Sequence, residues 1–319
     1  MVHTQSPTVS IVIPNLNGLA HLPDCLESLK AQSMRPIETI IVDNGSTDGS
    51  VDFVRNNYPW ASVVMLPSNA GVAVAMNRGI VASNGEYVAL LNNDTALAPD
   101  WLETMVRALQ SESAVGSVAC KMLRFFDRQK IDAAGDFLTR AGSPYSRGSN
   151  EPDDGRYDAR EFIFGACGAA ALFRRIVFDE IGLFDEDFVS HYEDVDLAFR
   201  AQLAGYRCLY VPDAVCYHKR GATYSSVSDR TIRVQERNLT AYYVKSFPAG
   251  LLLAKLPLIL ASRARRLYRS FRTGVGGPAV AGLWEGVILA PKMIGKRKSV
   301  QPKRRTSINY LKSFMRRHP

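Results

Sequence analysis

The chain has 319 residues, of which 46% are hydrophobic and 22% are charged, a composition typical of a globular protein and unlike that of a disordered chain. Its five cysteines are an odd number without CxxC spacing, which argues against a disulfide framework and predicts reduced, mostly buried thiols of a cytosolic protein. The net charge of +8 is unevenly distributed: residues 1–244 carry −8 and residues 245–319 carry +16, which indicates an acidic body and a basic tail that meets an anionic surface.

Short apolar runs alternate with helical spacing over the first 110 residues. The runs that predict strands are Val9–Ile13, Ile37–Val42, Val63–Leu66 and Tyr87–Leu91. The segments that predict helices are Leu19–Gln32, a stretch after the loop 44–48, Val72–Ala82 and one that opens at Pro99. This alternation predicts a parallel, Rossmann-like sheet. No glycine-rich GxGxxG or Walker-type loop follows the first run, which argues against a dinucleotide or P-loop protein.

The second half of the chain has a different pattern. Residues 139–160 are rich in Gly, Ser, Pro and Asp and predict a mobile loop. Phe162–Phe173 predicts a small-residue strand that a ligand or backbone approaches closely. The remaining predicted elements are a helix over Tyr192–Ala204, short strands over Cys208–Val211 and Ala214–Tyr217, and a helix over 229–247.

Polar groups follow two of the predicted strands, and an acidic cluster opens a predicted helix. Asp43 and the run 92–94 (Asn-Asn-Asp) come directly after apolar runs, and Glu193 and Asp194 stand at the start of the helix over 192–204. The carboxyl ends of parallel strands are where open α/β sheets bind ligands. These three stretches together predict a nucleotide pocket, a metal site and a catalytic base.

In these motifs the chain resembles the family 2 glycosyltransferases of the GT-A fold over roughly residues 8–245. The resemblance is carried by the run 9–14 with Asn17, the turn 42–46, Asn69 and Gly71 with Asn77, the run 92–94, Glu193 with Asp194, and His218. It implies an α/β fold with a GT-A Rossmann-like mixed sheet flanked by helices. It also implies inverting transfer of a sugar from a nucleotide-diphosphate donor to an acceptor hydroxyl.

The resemblance also assigns the donor pocket. It implies that Asp43 accepts a hydrogen bond from the pyrimidine ring of the donor, with the base pocket lined by Pro14, Asn17 and Gly71. The matching asparagines Asn69 and Asn77 are placed in the same nucleotide-binding set. The alternative for Asp43 is a turn residue, because Asp-Asn-Gly-Ser is good turn chemistry.

The run 92–94 occupies the position of the family's DxD motif, but only its last residue is acidic. The resemblance implies that Asp94 and His218 bind Mn²⁺ or Mg²⁺, ions that prefer oxygen ligands and share them with substrate phosphates. Asn93 then contacts the ribose or a phosphate. The alternatives are a strand-end turn at 92–94 and a structural role for His218.

The acidic cluster supplies the predicted base. Neighbouring helical residues do not share a face, and by resemblance Asp194 is the base, with Glu193 beside it. Asp196 is expected to support the helix start through its dipole, and the alternative for all three is helix-terminal charge.

Basic residues around this cluster have open alternatives. Lys219, Arg220 and Gly221 form either a basic lid over the diphosphate or a solvated loop. Arg174, Arg175 and Arg237 either contact an acceptor phosphate or carry surface charge.

Two stretches of the tail, 249–270 and 279–298, each combine an apolar block with a basic flank. This pattern predicts amphipathic helices lying in an anionic membrane interface; the alternative is a helical pair packed on the domain. The apolar run 247–261 falls short of the roughly 20 residues that span a bilayer, residues 1–8 do not resemble a signal peptide, and no nucleic-acid module precedes the tail. We therefore predict a catalytic domain over 1–245, a membrane-associating tail over 246–319, and a location on the inner face of the cell membrane.

The sequence as a whole predicts an inverting, metal-dependent glycosyltransferase of cell-envelope glycan assembly. Within the family the chain looks most like rhamnosyltransferases, which implies dTDP-rhamnose or a UDP-sugar as donor and a lipid-linked, phosphate-bearing saccharide as acceptor. The Gln-x-x-Arg-Trp motif of processive synthases is absent from the helix over 229–247, which favours addition of one or few sugars. Two alternatives stay open at this point: a sugar nucleotidyltransferase and a membrane-tethered binding module without activity.

Overall fold

The computed structural model describes residues 8–219 and 228–316. Its strands are β1 (Val9–Asn15), β2 (Glu38–Asp43), β3 (Ala61–Met65), β4 (Tyr87–Leu91), β5 (Thr95–Leu97), β6 (Val115–Arg124), β7 (Ile131–Ala133), β8 (Asp136–Thr139), β9 (Pro144–Ser146), β10 (Glu161–Ile163), β11 (Ala170–Arg174), β12 (Arg207–His218) and β13 (Met315–Arg316). Its α-helices are α1 (Leu22–Lys30), α2 (Ser50–Asn57), α3 (Val72–Ala82), α4 (Trp101–Ser111), α5 (Arg175–Ile181), α6 (Glu193–Ala204), α7 (Asp229–Ser246), α8 (Ala249–Arg272), α9 (Gly276–Val300) and α10 (Ile308–Ser313).

The central sheet is mixed. Its strand order is β10-β12-β6-β11-β4-β1-β2-β3, with β5 paired to β12 and β7 paired to β6. The four strands of the first half are parallel to one another, as the alternating pattern predicts. β11 runs antiparallel between β4 and β6, and β10 and β5 run antiparallel to β12. The parallel prediction therefore holds for the first half, and the implied mixed GT-A sheet is confirmed for the whole.

Both faces of the sheet are buried, which is why its strands read as continuous apolar runs. Val12 and Val42 point to the face covered by α3 and the second half of the chain, whereas Ile13 and Ile41 point to the face covered by α1 and α4. Helix α1 shows the matching helical spacing, because its buried residues recur every three or four positions: Leu22, Cys25, Leu26 and Leu29.

The segment 139–160 is not simply a loop. Residues 144–146 form β9, which pairs antiparallel with β8, while β13 from the end of the described chain pairs with the other side of β8. The loop prediction was wrong here because the run Pro-Tyr-Ser is too short for periodicity to reveal a strand. The five cysteines are unpaired and four of them are buried, as predicted.

The tail forms helices where expected and packs against the domain. Gly282 lets α9 approach α7 closely, because a Cβ there would lie 2.1 Å from the Arg233 carbonyl oxygen. Lys296 of α9 pairs with Asp185, and Arg263 of α8 pairs with Glu236 of α7. The predicted boundary at 245/246 thus falls at the end of α7, with ion pairs crossing it.

The tail also keeps an exposed apolar surface. Leu253, Leu256 and Leu260 of α8 are 42–70% exposed, and Trp284 and Ile288 of α9 are 65% and 64% exposed. Among the described helices, none combines the length and the apolar character that crossing a membrane requires. The tail therefore presents one packed side and one exposed apolar side.

Candidate active site

The carboxyl ends of β1, β2 and β4 meet in one hydrogen-bonded cluster. Asn15 is aligned with Asp43 in the parallel register of β1 and β2. Its Nδ2 donates to Asp43 Oδ1 at 3.1 Å, and its Oδ1 accepts from Asn93 Nδ2 at 2.7 Å. The structure therefore brings predicted site residues Asp43 and Asn93 together through Asn15, which the sequence analysis did not single out.

Asp43 is 1% exposed, and while its Oδ1 accepts from Asn15 of β1, its Oδ2 is engaged in the turn that follows β2. Oδ2 accepts from the backbone N–H groups of Gly45 at 3.2 Å and Ser46 at 3.0 Å. The turn role of this residue is thus present in the structure. Its contact with a donor base stays a prediction.

Pro14 lies within β1, and Asn17, Asn69 and Gly71 lie on the segments that follow β1 and β3 around this cluster. Asn17 has a positive φ of 49°, and its Oδ1 accepts from Thr47 N at 2.8 Å. Asn69 Oδ1 accepts from Gly71 N at 3.0 Å. These asparagines organise the loop backbone, which is the scaffold a nucleotide pocket at this sheet edge requires.

Gly71 joins this edge to the acidic segment. Its φ is +93°, and a Cβ there would lie 2.7 Å from the carbonyl oxygen of Val189. Only glycine fits both the backbone conformation and the close approach. The predicted donor side and the segment that leads into α6 are therefore in direct contact.

Asn77 has a different setting from the other predicted donor residues. It lies on α3 and is 6% exposed. Its Nδ2 donates to the Phe184 carbonyl oxygen and to Glu186 Oε1, both at 3.0 Å, and its Oδ1 accepts from Phe184 N at 2.9 Å. Because its carboxamide is fully used by the segment 184–186, these contacts favour a structural role.

Asp94 and His218 are adjacent, as the predicted metal pair requires. β5 and β12 pair with His218 opposite Thr95, which places His218 Nε2 3.3 Å from Asp94 Oδ1. This Asp94 oxygen is buried and has no hydrogen-bond partner. An unsatisfied buried carboxylate oxygen beside an imidazole nitrogen fits a cation ligand set.

The second ring nitrogen of His218 is held by Asp132. His218 Nδ1 lies 2.8 Å from Asp132 Oδ2. Burial lowers the pKa of His218, but the hydrogen bond to Asp132 and the negative charge of Asp94 outweigh it and raise the pKa to about 9. A carboxylate on the far nitrogen fixes the ring orientation, as metal-ligating histidines usually require. The sequence signal for Asp132 is one acid inside the short apolar strand β7.

No group of three His, Cys, Asp or Glu side chains suited to a metal ion occurs within residues 8–219 and 228–316. A site built on Asp94 and His218 would therefore depend on substrate phosphates and water for its remaining ligands. Such shared coordination is ordinary for Mg²⁺. The two residues fit a divalent cation on these terms.

Glu193 and Asp194 open α6, and Asp194 is held by the segment 165–169. Asp194 Oδ2 accepts from Gly168 N at 3.1 Å, and its Oδ1 accepts from Val195 N at 2.8 Å. Burial raises the pKa of Asp194, and burial together with the neighbouring Asp194 charge raises the pKa of Glu193 to about 8. Raised carboxyl pKa values in a half-buried pair are typical of sites for proton transfer.

The segment before this pair is strained. Val189, His191 and Tyr192 all have φ between 62° and 71°, a region that non-glycine residues rarely adopt and that is a true outlier for a β-branched residue. Asn238 of α7 is 0% exposed and its Nδ2 lies 2.7–2.8 Å from three carbonyl oxygens, those of residues 188, 190 and 191. Helix α7 therefore clamps the strained backbone that aims Asp194.

Asp196 does more than complement a helix dipole. It is fully buried and accepts from Arg200 Nε at 2.8 Å, Lys245 Nζ at 2.8 Å and Ser246 Oγ at 3.0 Å. It stands in the first turn of α6, where a dipole role was expected, and α7, from a distant part of the chain, makes it an internal ion-pair partner as well.

Three basic residues with open roles bind backbone carbonyl oxygens. Arg174 Nε donates to Val115 at 2.8 Å, Arg175 Nε to Gly85 at 2.6 Å, and Arg237 to Asp187 at 2.8 Å. Their guanidinium groups are therefore structural. Lys219 donates its backbone N–H to the Asp94 carbonyl oxygen at 2.9 Å and pairs its ammonium with Asp24; Arg220 and Gly221, the rest of the predicted lid, lie outside the described residues.

Sequence comparisons show which proteins the chain is similar to. The family model "Glycosyl transferase family 2" matches residues 10–182. An N-acetylglucosaminyl-diphospho-decaprenol L-rhamnosyltransferase of Mycobacterium tuberculosis is 30% identical over 227 residues, which are 64% of this chain and 73% of that protein. An uncharacterized protein of Sinorhizobium fredii is 28% identical over 68% of this chain, and the match spans only 25% of that protein's length.

Solved structures share the fold. GalNAc-T7 with UDP, GalNAc and Mn²⁺ matches with a TM-score of 0.59 and 16% identity, over 76% of this chain and 51% of that chain. The mannosyltransferase PcManGT from Pyrobaculum calidifontis, in complex with GDP-Man and Mn²⁺, matches with a TM-score of 0.55 and 21% identity, over 94% of this chain and 86% of that chain. At these identities the likeness shows the fold.

Proposed function

Because this chain belongs to glycosyl transferase family 2, we propose that it is an inverting, metal-dependent glycosyltransferase of cell-envelope glycan assembly. The proposed donor is dTDP-rhamnose or a UDP-sugar, and the proposed acceptor is the hydroxyl of a lipid-linked saccharide. The family match favours sugar transfer over nucleotidyl transfer, and it disfavours the inactive binding module as well.

The residue assignment rests on the way the Asp194 carboxylate is held in position. The Gly168 N–H fixes one carboxylate oxygen, and the strained segment 189–192 sets the start of its helix. Burial raises the pKa of Asp194, so the carboxylate is a stronger base than an exposed one. We assign it to accept the proton of the acceptor hydroxyl as the oxygen attacks the sugar.

The leaving group is a nucleoside diphosphate, so negative charge grows on it as the glycosidic bond breaks. Asp94 and His218 would hold a divalent cation, which when bound offsets that charge. Asp132 keeps the imidazole turned toward Asp94. The Mn²⁺ in the GalNAc-T7 and PcManGT structures supports this proposal.

The relative named as a rhamnosyltransferase acts, by its name, on an N-acetylglucosaminyl-diphospho-decaprenol. That name supports both the rhamnosyl donor and the lipid-linked acceptor proposed for this chain. The exposed apolar residues on α8 and α9, with the +16 charge of residues 245–319, support docking on the inner face of an anionic membrane.

The test is release of nucleoside diphosphate from a panel of UDP-, dTDP- and GDP-sugars, with and without Mn²⁺. We expect one donor to be cleaved by the unmodified protein with metal, and Asp194→Asn to reduce that turnover by at least about 100-fold. Asp52→Asn, which removes an exposed acid of α2, is the matched control. Equal turnover by the Asp194 and Asp52 variants would contradict the assignment of the base.

A further inference from the structure

A pocket of about 770 Å³ lies between α8 and the loop that joins β8 to β9. Thirteen described residues line it, and none of them is acidic. Five of the thirteen are arginines: Arg140, Arg265, Arg266, Arg269 and Arg316. We call this feature the arginine pocket.

The positive charge of the arginine pocket is only partly compensated. Arg266 pairs with Glu236 and Arg316 pairs with Glu161. Within the described parts of the chain, no carboxylate forms an ion pair with Arg140, Arg265 or Arg269. Clustered like charges repel one another unless an anion is bound between them.

A neighbouring lysine shows the same excess of charge. Burial lowers the pKa of Lys255, and repulsion from Lys312 and Arg140 lowers it further. Arginine forks match the geometry of phosphate oxygens, which they bind with paired, charge-assisted hydrogen bonds. The chemistry of the arginine pocket therefore favours a phosphate or diphosphate group.

The arginine pocket is linked to the residue before the acid pair through α7. Tyr243 of α7 donates its hydroxyl to the carbonyl oxygen of Ala141 in the pocket wall at 3.0 Å, and the ring of the adjacent Tyr242 lies 6.2 Å from the ring of Tyr192. From β8, Asp136 N donates to the Gly165 carbonyl oxygen at 3.0 Å, in the segment that holds Asp194. The pocket and the acid pair therefore share neighbouring elements.

One exposed leucine of α8 stands at the rim of the arginine pocket. Leu258 lines the pocket and is 46% exposed. Leu253, Leu256 and Leu260 are also exposed, but at 3.6 residues per turn they lie on the other side of α8. A hydrocarbon chain attached to an anionic group in the pocket would leave it past Leu258.

We propose that the arginine pocket binds the diphosphate group of a prenyl-diphosphate-linked acceptor, with the start of the prenyl chain against Leu258. This proposal rests on the proposed function, because it names the part of the acceptor that the chain recognises. It assigns the residues of the tail a role in substrate binding as well as in membrane contact.

The test is binding of farnesyl diphosphate to the full chain by calorimetry, in EDTA so that no metal draws the diphosphate to Asp94 and His218. Arg265→Gln combined with Arg269→Gln removes two unpaired charges of the pocket. Lys298→Gln combined with Arg304→Gln removes two exposed tail charges outside it and is the matched control. Binding to phosphatidylglycerol vesicles is measured for both double variants.

We expect the pocket variant to bind farnesyl diphosphate at least about tenfold more weakly, since two charge-assisted contacts are lost, and the control variant to bind it normally. Vesicle binding should be alike in both. Unchanged farnesyl diphosphate binding in the pocket variant, or an equal loss in both variants, overturns the proposal. Loss of vesicle binding in the pocket variant but not in the control variant also overturns the proposal, because the pocket would then hold a phospholipid headgroup.

This binding assay requires no turnover. If no sugar nucleotide is cleaved but farnesyl diphosphate binds through the pocket, the proposed function fails and the diphosphate site stands. If a donor is cleaved but the pocket variant binds the probe normally, the proposed function stands and the diphosphate site fails.

Discussion

Asn238→Ala is the sharpest perturbation of the site that does not touch a reacting group. The Asn238 amide has two hydrogens, and they serve the carbonyl oxygens of residues 188, 190 and 191 at 2.7–2.8 Å. A buried carbonyl that loses its donor costs about 1–3 kcal/mol. Because water can reach part of this segment, we expect the free energy of unfolding to fall by about 2–4 kcal/mol in total.

The loss should also move Asp194. Val189, His191 and Tyr192 hold positive φ angles, each of which stores about 1–3 kcal/mol that relaxes once the clamp is gone. A shift of about 1 Å in a catalytic group can cost 100-fold in rate. We therefore expect kcat to fall by about 100-fold with the KM for the donor nearly unchanged. Steady-state kinetics and urea unfolding measure the two effects separately.

Arg174→Met is the control for lost stability. Arg174 also holds backbone carbonyl oxygens, at the start of β6 and therefore at the opposite edge of the sheet. The Arg174→Met variant should lower the free energy of unfolding while kcat is retained. If both variants lose stability and keep the same kcat, the clamp does not aim Asp194 and the reasoning is refuted.

Three further predictions follow from single contacts. Asp132→Asn should weaken Mn²⁺ binding by about 10–100-fold, because it loosens His218, as thermal shift in a Mn²⁺ titration would show. Gly71→Ala should cost about 1–3 kcal/mol of stability and reduce turnover, because the added Cβ meets the segment before α6. Lys245→Met should cost about 3 kcal/mol, because two buried carboxylates lose a partner. Burial raises the pKa of Asp185, but Lys245 and Lys296 outweigh it and lower the pKa to about 2. The stability contributed by this ion pair is therefore present above pH 3.8 and lost toward pH 2. In urea unfolding, the free energy of unfolding of Lys245→Met should depend less on pH across that range.

Each of these has a matched control. Asp179→Asn removes an exposed acid of α5 and should leave Mn²⁺ binding unchanged. Gly182 also has a positive φ, but a Cβ added there would meet nothing within 4 Å. Gly182→Ala therefore measures the cost of backbone strain without the steric clash. Lys30→Met breaks an exposed pair and should cost less than about 1 kcal/mol. Indistinguishable results for a variant and its control would contradict the corresponding prediction.

The sequence predicted what depends on local pattern. Continuous apolar runs identified the four parallel strands, since both faces of such a sheet are buried. The carboxyl ends of those strands identified Asp43 and Asn93 as members of one edge, because parallel strands end at one edge, and Asn15 links the two in the structure. The ordered motifs identified the family, and the family model confirms that identification.

Only the tertiary structure decided the contacts between distant segments. Asp132 reaches His218 from 86 positions away, and Asn238 reaches the segment 188–191 from 47–50 positions away. Side-chain pairs at such separations have no period and no fixed spacing, so a single sequence does not specify them. The tail illustrates the same division. Its amphipathic helices could be predicted from the sequence pattern, whereas their packing on α7 could not. The arginine pocket likewise arises only where α8 meets the hairpin of β8 and β9. Local pattern determines which residues stand at an edge or on a face, and packing determines which partner each of them finds.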